Sequence, residues 1–258
     1  MMNKEKIKEY FKRIGLEYDE NEPLDSALLG KLQYAHITSV PYETTEIVDR
    51  HPLSLDYGDL FRKIVTEGRG GYCFELNGLF GELLRSLGYD VSEYAARFLR
   101  GESEPPKPRH RVPVVTVGGE RWLCDVGVGC KAPRYPVLLE AGKEQKLCGE
   151  WYRIDTDAFL GNVLMEKVGD EWRPYFSFNE CPQLAKDFTT LSFYCENHPD
   201  SPFLVNMLSL KTENGRYTVD KNIFRIWEGD TVALEKEVDD AELESICAEY
   251  FGMPLHRS

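Results

Sequence analysis

Apolar residues recur at helical spacing through the first third of the chain. Ile7, Tyr10, Phe11 and Ile14 fall on one face, and Leu60, Phe61, Ile64 and Val65 fall on another. The run that begins at Cys73 carries Phe80, Leu83, Leu84 and Leu87 before Gly88, a residue suited to a helix C-terminus. From Tyr89 to about Phe178 the pattern changes to short runs of β-branched and aromatic residues broken by Gly, Pro and Asp, among them 91–99, 112–117, 151–154 and 172–178. Such runs predict an antiparallel barrel or sheet. Residues 182–191 predict a short helix, and 203–210, 216–219, 223–227 and 231–238 predict further strands. Asp239-Asp240-Ala241-Glu242 reads as a capping box, followed by Leu243, Ile246, Cys247, Tyr250 and Phe251 at helical spacing. The class is α+β, in three regions: 1–88, 89–195 and 196–258.

The chemistry concentrates in Arg69-Gly70-Gly71-Tyr72-Cys73-Phe74-Glu75-Leu76-Asn77, where one cysteine opens the third helix directly after a glycine pair. Unsatisfied N–H groups and the positive end of the helix dipole stabilise a sulfur anion there, relative to a free thiol pKa of about 8.5. Cys73 is therefore the candidate nucleophile, and the backbone N–H groups near Cys73 and Phe74 are the candidate oxyanion donors. His110 opens 110–117 and Asp125 follows 120–124, with Gly118-Gly119 between them as a hairpin turn. The two residues lie at nearly matching distances from that turn, so their side chains can meet across the ladder. A carboxylate on one ring nitrogen would fix the tautomer and leave the other nitrogen for the thiol. Singly, each residue reads as ordinary: a buried core cysteine, a loop histidine, a turn aspartate. Together they are hard to explain as packing.

These residues resemble the arylamine N-acetyltransferase family. Arg69 to Asn77 fits its Arg-Gly-Gly-x-Cys-x-Glu-x-Asn signature, Pro108-Arg109-His110 resembles its histidine segment, and Asp125-Val126-Gly127-Val128-Gly129 resembles its aspartate segment. Weaker likeness runs from about residue 28 to 205, including His36 through Pro41-Tyr42-Glu43, while the last fifty residues carry no matching motif. Thr44 departs from the pattern, standing where the family usually has Asn. The resemblance implies an N-terminal helical bundle (1–88) carrying the nucleophile, a central antiparallel β-barrel (89–195) carrying His and Asp, and a C-terminal α/β lid (196–258), around a papain-like Cys-His-Asp core. It also implies acetyl transfer from acetyl-CoA to an arylamine or hydrazine nitrogen through an acetyl-cysteine, with no metal. Arg69, Glu75 and Asn77 are expected to support the nucleophile structurally, Arg69 and Glu75 by pairing with each other. Gly127 and Gly129 resemble a glycine loop that admits a pyrophosphate, with a plain turn as the other reading; Arg109 is a candidate for the same ligand.

Composition narrows the alternatives. With 31 basic against 44 acidic side chains the net charge is −13, which disfavours a nucleic-acid partner. No run approaches the ~18 apolar residues of a membrane span, and no signal-peptide core follows Met1, so the expectation is a cytoplasmic chain. Seven cysteines, at 73, 124, 130, 148, 181, 195 and 247, contain no Cys-x-x-Cys pair and are expected to be reduced. Charge reverses locally: Arg97, Arg100, Lys107, Arg109 and Arg111, then Lys131 and Arg134, form a basic stretch suited to an anionic acyl carrier. His36, His51, His198 and His256 have no partners at useful spacing and are expected to be structural or exposed. The same three catalytic residues would serve an amide synthase or a hydrolase, and a non-catalytic aromatic-ligand-binding protein is the alternative outside catalysis. Oligomeric state is open.

Overall fold

The computed structural model describes residues 1–129 and 132–255, so the expectations for Cys130, Lys131 and His256 concern residues outside the described ones. Helix α1 (Lys4–Arg13) starts on Asn3, whose side chain accepts from Lys6 N, and buries Ile7, Tyr10 and Phe11 as their spacing requires. Helix α2 (Ser26–Ser39) starts on Asp25, which accepts from Ala27 and Leu28 N. A two-residue strand β1 (Tyr42–Glu43), helix α3 (Thr45–Val48) and helix α4 (Tyr57–Phe61) follow, and α4 runs into a π-helical turn over Arg62–Thr66. Helix α5 (Cys73–Leu87) ends at Gly88 with φ of 109°. Every residue of α5 from Cys73 to Leu84 is buried, Glu75, Asn77 and Glu82 included. A helix enclosed on all sides is the core itself, and its polar side chains must find partners inside.

The central region is an eight-stranded antiparallel sheet: β2 (Asp90–Phe98), β3 (His110–Val117), β4 (Glu120–Leu123), β5 (Val137–Leu138), β6 (Gln145–Leu147), β7 (Glu150–Asp157), β8 (Gly161–Val168) and β9 (Glu171–Phe178). Their order is β5-β4-β3-β2-β9-β8-β7-β6. The Gln145 side chain bonds both Leu138 N and Leu138 O, and Ala141 bridges Ile154, so the two ends approach and the sheet nearly closes into a barrel. Its interior holds Tyr94, Val112, Val114, Ile154, Leu164, Phe176 and Phe178.

Helix α6 (Phe188–Asn197) starts six residues later than the sequence pattern predicts, because Asp187 accepts from Leu184 N and winds 185–187 into a 3₁₀ turn first. The last strands are β10 (Met207–Lys211), β11 (Gly215–Asp220), β12 (Ile223–Glu228) and β13 (Thr231–Glu237), and α7 (Asp240–Tyr250) closes the described chain on the Asp239–Glu242 capping box. Strand β10 begins four residues after the predicted start, since Phe203 turns inward to meet Tyr72 edge-on, ring centroids 5.9 Å apart. The β10–β13 meander pairs with β1, Tyr42 opposite Ser209 and Glu43 opposite Leu208, so the first and last regions share one five-stranded sheet. Thr44 fastens this junction: its Oγ1 donates to Val205 O at 2.8 Å and accepts from Met207 N at 2.9 Å.

Candidate active site

Two close approaches build the start of α5. A Cβ on Gly70 would lie 2.2 Å from Pro41 O, and one on Gly127 would lie 2.8 Å from Cys73 Cα and 2.7 Å from Asn77 Nδ2. Both positions admit only hydrogen, and β1 clamps the glycine loop through Glu43 N to Gly71 O at 2.9 Å. Cys73 is 1% exposed, with Sγ 3.7 Å from Arg109 O, the carbonyl of the residue before His110.

The helix tip does not by itself make a thiolate there, contrary to the expectation from sequence. Burial pushes the Cys73 thiol well up, and the nearby Cys195 and Asp125 push it the same way. Backbone N–H groups of Arg111 and Phe74 act in the opposite direction but do not prevail. Phe74 N–H therefore serves the sulfur, and the Arg111 N–H beside it was not foreseen. An anion at Sγ requires its proton to pass to a neighbouring base.

His110 is the candidate for that base. The hairpin turns at Gly118 and Gly119, both with positive φ, and its ladder runs from Val117 opposite Glu120 to Val114 opposite Leu123. Continuing that register sets Asp125 against Val112, so its contact with His110 is diagonal, two positions along the strand, as their nearly matching distances from the turn allow. His110 Nε2 lies 2.7 Å from Asp125 Oδ2, with both side chains buried. Asp125 Oδ1 accepts from Asn77 Nδ2 at 2.8 Å and from Gly127 N at 2.8 Å. Asn77 also donates to Arg111 O at 2.5 Å and accepts from Val126 N at 2.9 Å, tying α5 to both sides of the hairpin. Phe98 and Phe176 flank the imidazole at 4.9 and 5.4 Å. His110 Nδ1, buried, has no hydrogen-bond partner among the described residues.

Several expected roles change. Arg69 and Glu75 do not pair with each other: Arg69 meets Glu43 at 2.8 Å, and Glu75 meets Lys63 at 2.7 Å. Of the basic stretch, Arg111 is buried against Glu93 at 2.7 Å and stacked on Phe188, Arg97 donates to Pro106 O, and Arg134 donates to Thr212 O and Gly215 O. These are structural partnerships, which burial of a guanidinium demands. Arg100 and Arg109 do line a cavity of about 550 Å³, with Arg216 and Arg225 from β11 and β12, Trp227 from β12, and Tyr42, Phe98 and Phe203. The last fifty residues, without a motif, thus supply half of its arginines. Their only sequence signal was the alternation that placed them on strands. Gly129 lines this cavity, whereas Gly127 packs on Cys73 instead. His36 is structural: burial holds its imidazole down to about 3, and Tyr10 OH lies 2.7 Å from its Nδ1.

Known proteins agree with this architecture. The N-acetyltransferase family model matches residues 25–258 and so includes the segment that lacked a recognisable motif. An arylamine N-acetyltransferase from Mycolicibacterium smegmatis is 35% identical over 217 residues, 81% of this chain and 78% of the relative. The structure of the arylamine N-acetyltransferase from Salmonella typhimurium superposes with a TM-score of 0.91 at 26% identity, covering 98% of this chain and 92% of that one. That of Mycobacterium marinum arylamine N-acetyltransferase in complex with CoA superposes at 0.86 and 29% identity, covering 96% and 92%. With family match, sequence identity and fold in accord over nearly the whole chain, this protein belongs to the arylamine N-acetyltransferase family and is an acetyl-transferring enzyme.

Proposed function

We propose that the chain moves an acetyl group from acetyl-CoA to the nitrogen of an arylamine or hydrazine in two half-reactions through an acetyl-Cys73 thioester. The observation that carries this is the state of His110: Nε2 is engaged by Asp125, Nδ1 is buried and without a hydrogen bond among the described residues, and the residue just before it, Arg109, offers the carbonyl that Cys73 Sγ touches. Cys73 Sγ attacks the acetyl carbonyl as its proton passes to His110 Nδ1, and Asp125 stabilises the resulting imidazolium. Proton and ion pair move with the attack, because burial disfavours a free thiolate beforehand. His110 returns the proton to the departing CoA sulfur. In the second half, the amine nitrogen attacks the acetyl-Cys73 carbonyl, His110 accepts the excess proton, and the sulfur leaves to take it back. Backbone N–H groups at the start of α5 would stabilise each oxyanion, at about 3 to 4 kcal/mol per well-placed donor.

The cavity suits the donor. Arg100, Arg109, Arg216 and Arg225 line it, paired here with Glu166, Glu102, Asp230 and Glu235, and a phosphate-bearing ligand would exchange with those carboxylates; Tyr42, Phe98 and Phe203 offer an apolar end for the acyl arm or an aromatic acceptor. Incubation with acetyl-CoA alone tests the scheme. Intact-mass measurement should show one acetyl group, on Cys73, and none in Cys73→Ala; CoA release without an adduct would point to hydrolysis and overturn the transferase.

A further inference from the structure

We propose that Lys63 is a positioning residue for the Cys73 sulfur, acting through Glu75. This rests on Cys73 being the nucleophile. Glu75 is 2% exposed and spans two structures: its Oε2 accepts from Tyr72 N at 3.0 Å, fixing the residue before Cys73, and its Oε1 lies 2.7 Å from Lys63 Nζ. The Lys63 side chain, only 12% exposed, also reaches Glu46 Oε2 at 2.6 Å, and its carbonyl accepts from Arg69 N at 3.0 Å at the entry to the glycine loop. It stands on the π-helical turn closed by Glu67 N to Arg62 O at 2.8 Å, a form rare in helices and frequent at functional sites.

The charge count makes Lys63 indispensable to this arrangement. Glu43, Glu46 and Glu75 face Lys63 and Arg69, with the Thr45 hydroxyl bonding Glu43, so three carboxylates share two cations. Burial, helped by Glu43 and Glu46, already holds the Glu75 carboxyl up to about 7 against the pull of Lys63. Without the ammonium, Glu75 keeps its proton to still higher pH and, above pH 7, remains a weaker acceptor for Tyr72 N–H than the parent's carboxylate. The first turn of α5 then loosens, and with it the aim of Sγ and of the Phe74 N–H that serves it.

The test is the pH profile of Cys73 alkylation by iodoacetamide, read by peptide mass, with thermal melting as the check of fold. Lys63→Met should slow alkylation at pH 8, where the parent's Glu75 is ionised, by about tenfold or more, as small misplacements of reacting groups do. Lys63→Arg should stay close to the parent, and Lys63→Met with Glu75→Gln should recover most of the rate, because an amide oxygen accepts from Tyr72 N more strongly than the carbonyl of a protonated carboxyl does and needs no cation. A Lys63→Met profile coincident with the parent's, or a double variant as slow as Lys63→Met, overturns the proposal. If Lys63→Met does not fold, Lys63→Gln replaces it under the same criterion. Should acetyl-CoA leave no acetyl group on Cys73 of the unmodified chain, the nucleophile assignment itself fails and takes this inference with it.

Discussion

Replacing Asp125 by Asn leaves the shape of the site nearly unchanged and inverts its proton logic. Asp125 Oδ1 already accepts from two buried donors, Asn77 Nδ2 and Gly127 N, both at 2.8 Å. An asparagine must keep its carbonyl oxygen there, since the opposite orientation would leave both donors unpaired at about 1 to 3 kcal/mol each. The amide NH₂ then faces His110 Nε2 at the place where Oδ2 now lies 2.7 Å away. Nε2 must become the acceptor, the ring proton moves to Nδ1, and the nitrogen meant to take the thiol proton is occupied. A tautomer held the wrong way lowers turnover by roughly 10⁴, or about 5 kcal/mol of barrier. Quenched single-turnover acetylation by acetyl-CoA, followed by intact mass, measures the step directly. A folded Asp125→Asn protein that acetylates within tenfold of the parent rate would refute the assignment of His110 as the base oriented by Asp125.

Gly127→Ala should be poorly folded or inactive, because its methyl would sit 2.8 Å from the Cys73 backbone, which cannot yield like a flexible side chain; a normal melting curve with parental acetylation would contradict this. His36, held neutral down to about 3, contributes stability that is fully present above pH 6.5 and is lost as pH falls from there, up to about 5 kcal/mol. Glu75 runs the other way between pH 4.5 and about 7, where stability falls as pH rises because the native carboxyl keeps its proton. Denaturant melts of the parent and His36→Gln should therefore differ in slope chiefly below pH 6.5, and parallel curves would exclude His36 as the source. If Arg109 and Arg225 meet phosphates, changing either to Ala should raise KM for acetyl-CoA about tenfold while sparing a short acetyl thioester without phosphates. Equal effects on both donors would remove that role.

Much of the local structure was legible because it is set by interactions a few residues apart. The face of Ile7, Tyr10 and Phe11, the cap at Asp239, the stop at Gly88 and the glycine hairpin between β3 and β4 all follow from periodicity and turn chemistry. The signature around Cys73 also named the family. Ion-pair partners were not legible: Arg69 and Glu75 sit close in sequence on the same loop and helix tip, yet each is closer to a residue from another element.

The sequence by itself determined where α1, α5, α7 and the β3–β4 hairpin form, though not α2, and named the three side chains proposed to carry the reactive atoms, since these depend on residue type and short spacing. The tertiary structure alone decided the rest. It joined β1 to β10, brought Arg216 and Arg225 to the cavity, and placed Lys63 on Glu75. It also reversed the expectation for the Cys73 thiol, because the desolvation of a fully enclosed sulfur depends on everything packed around it and outweighs the helix tip that sequence could foresee.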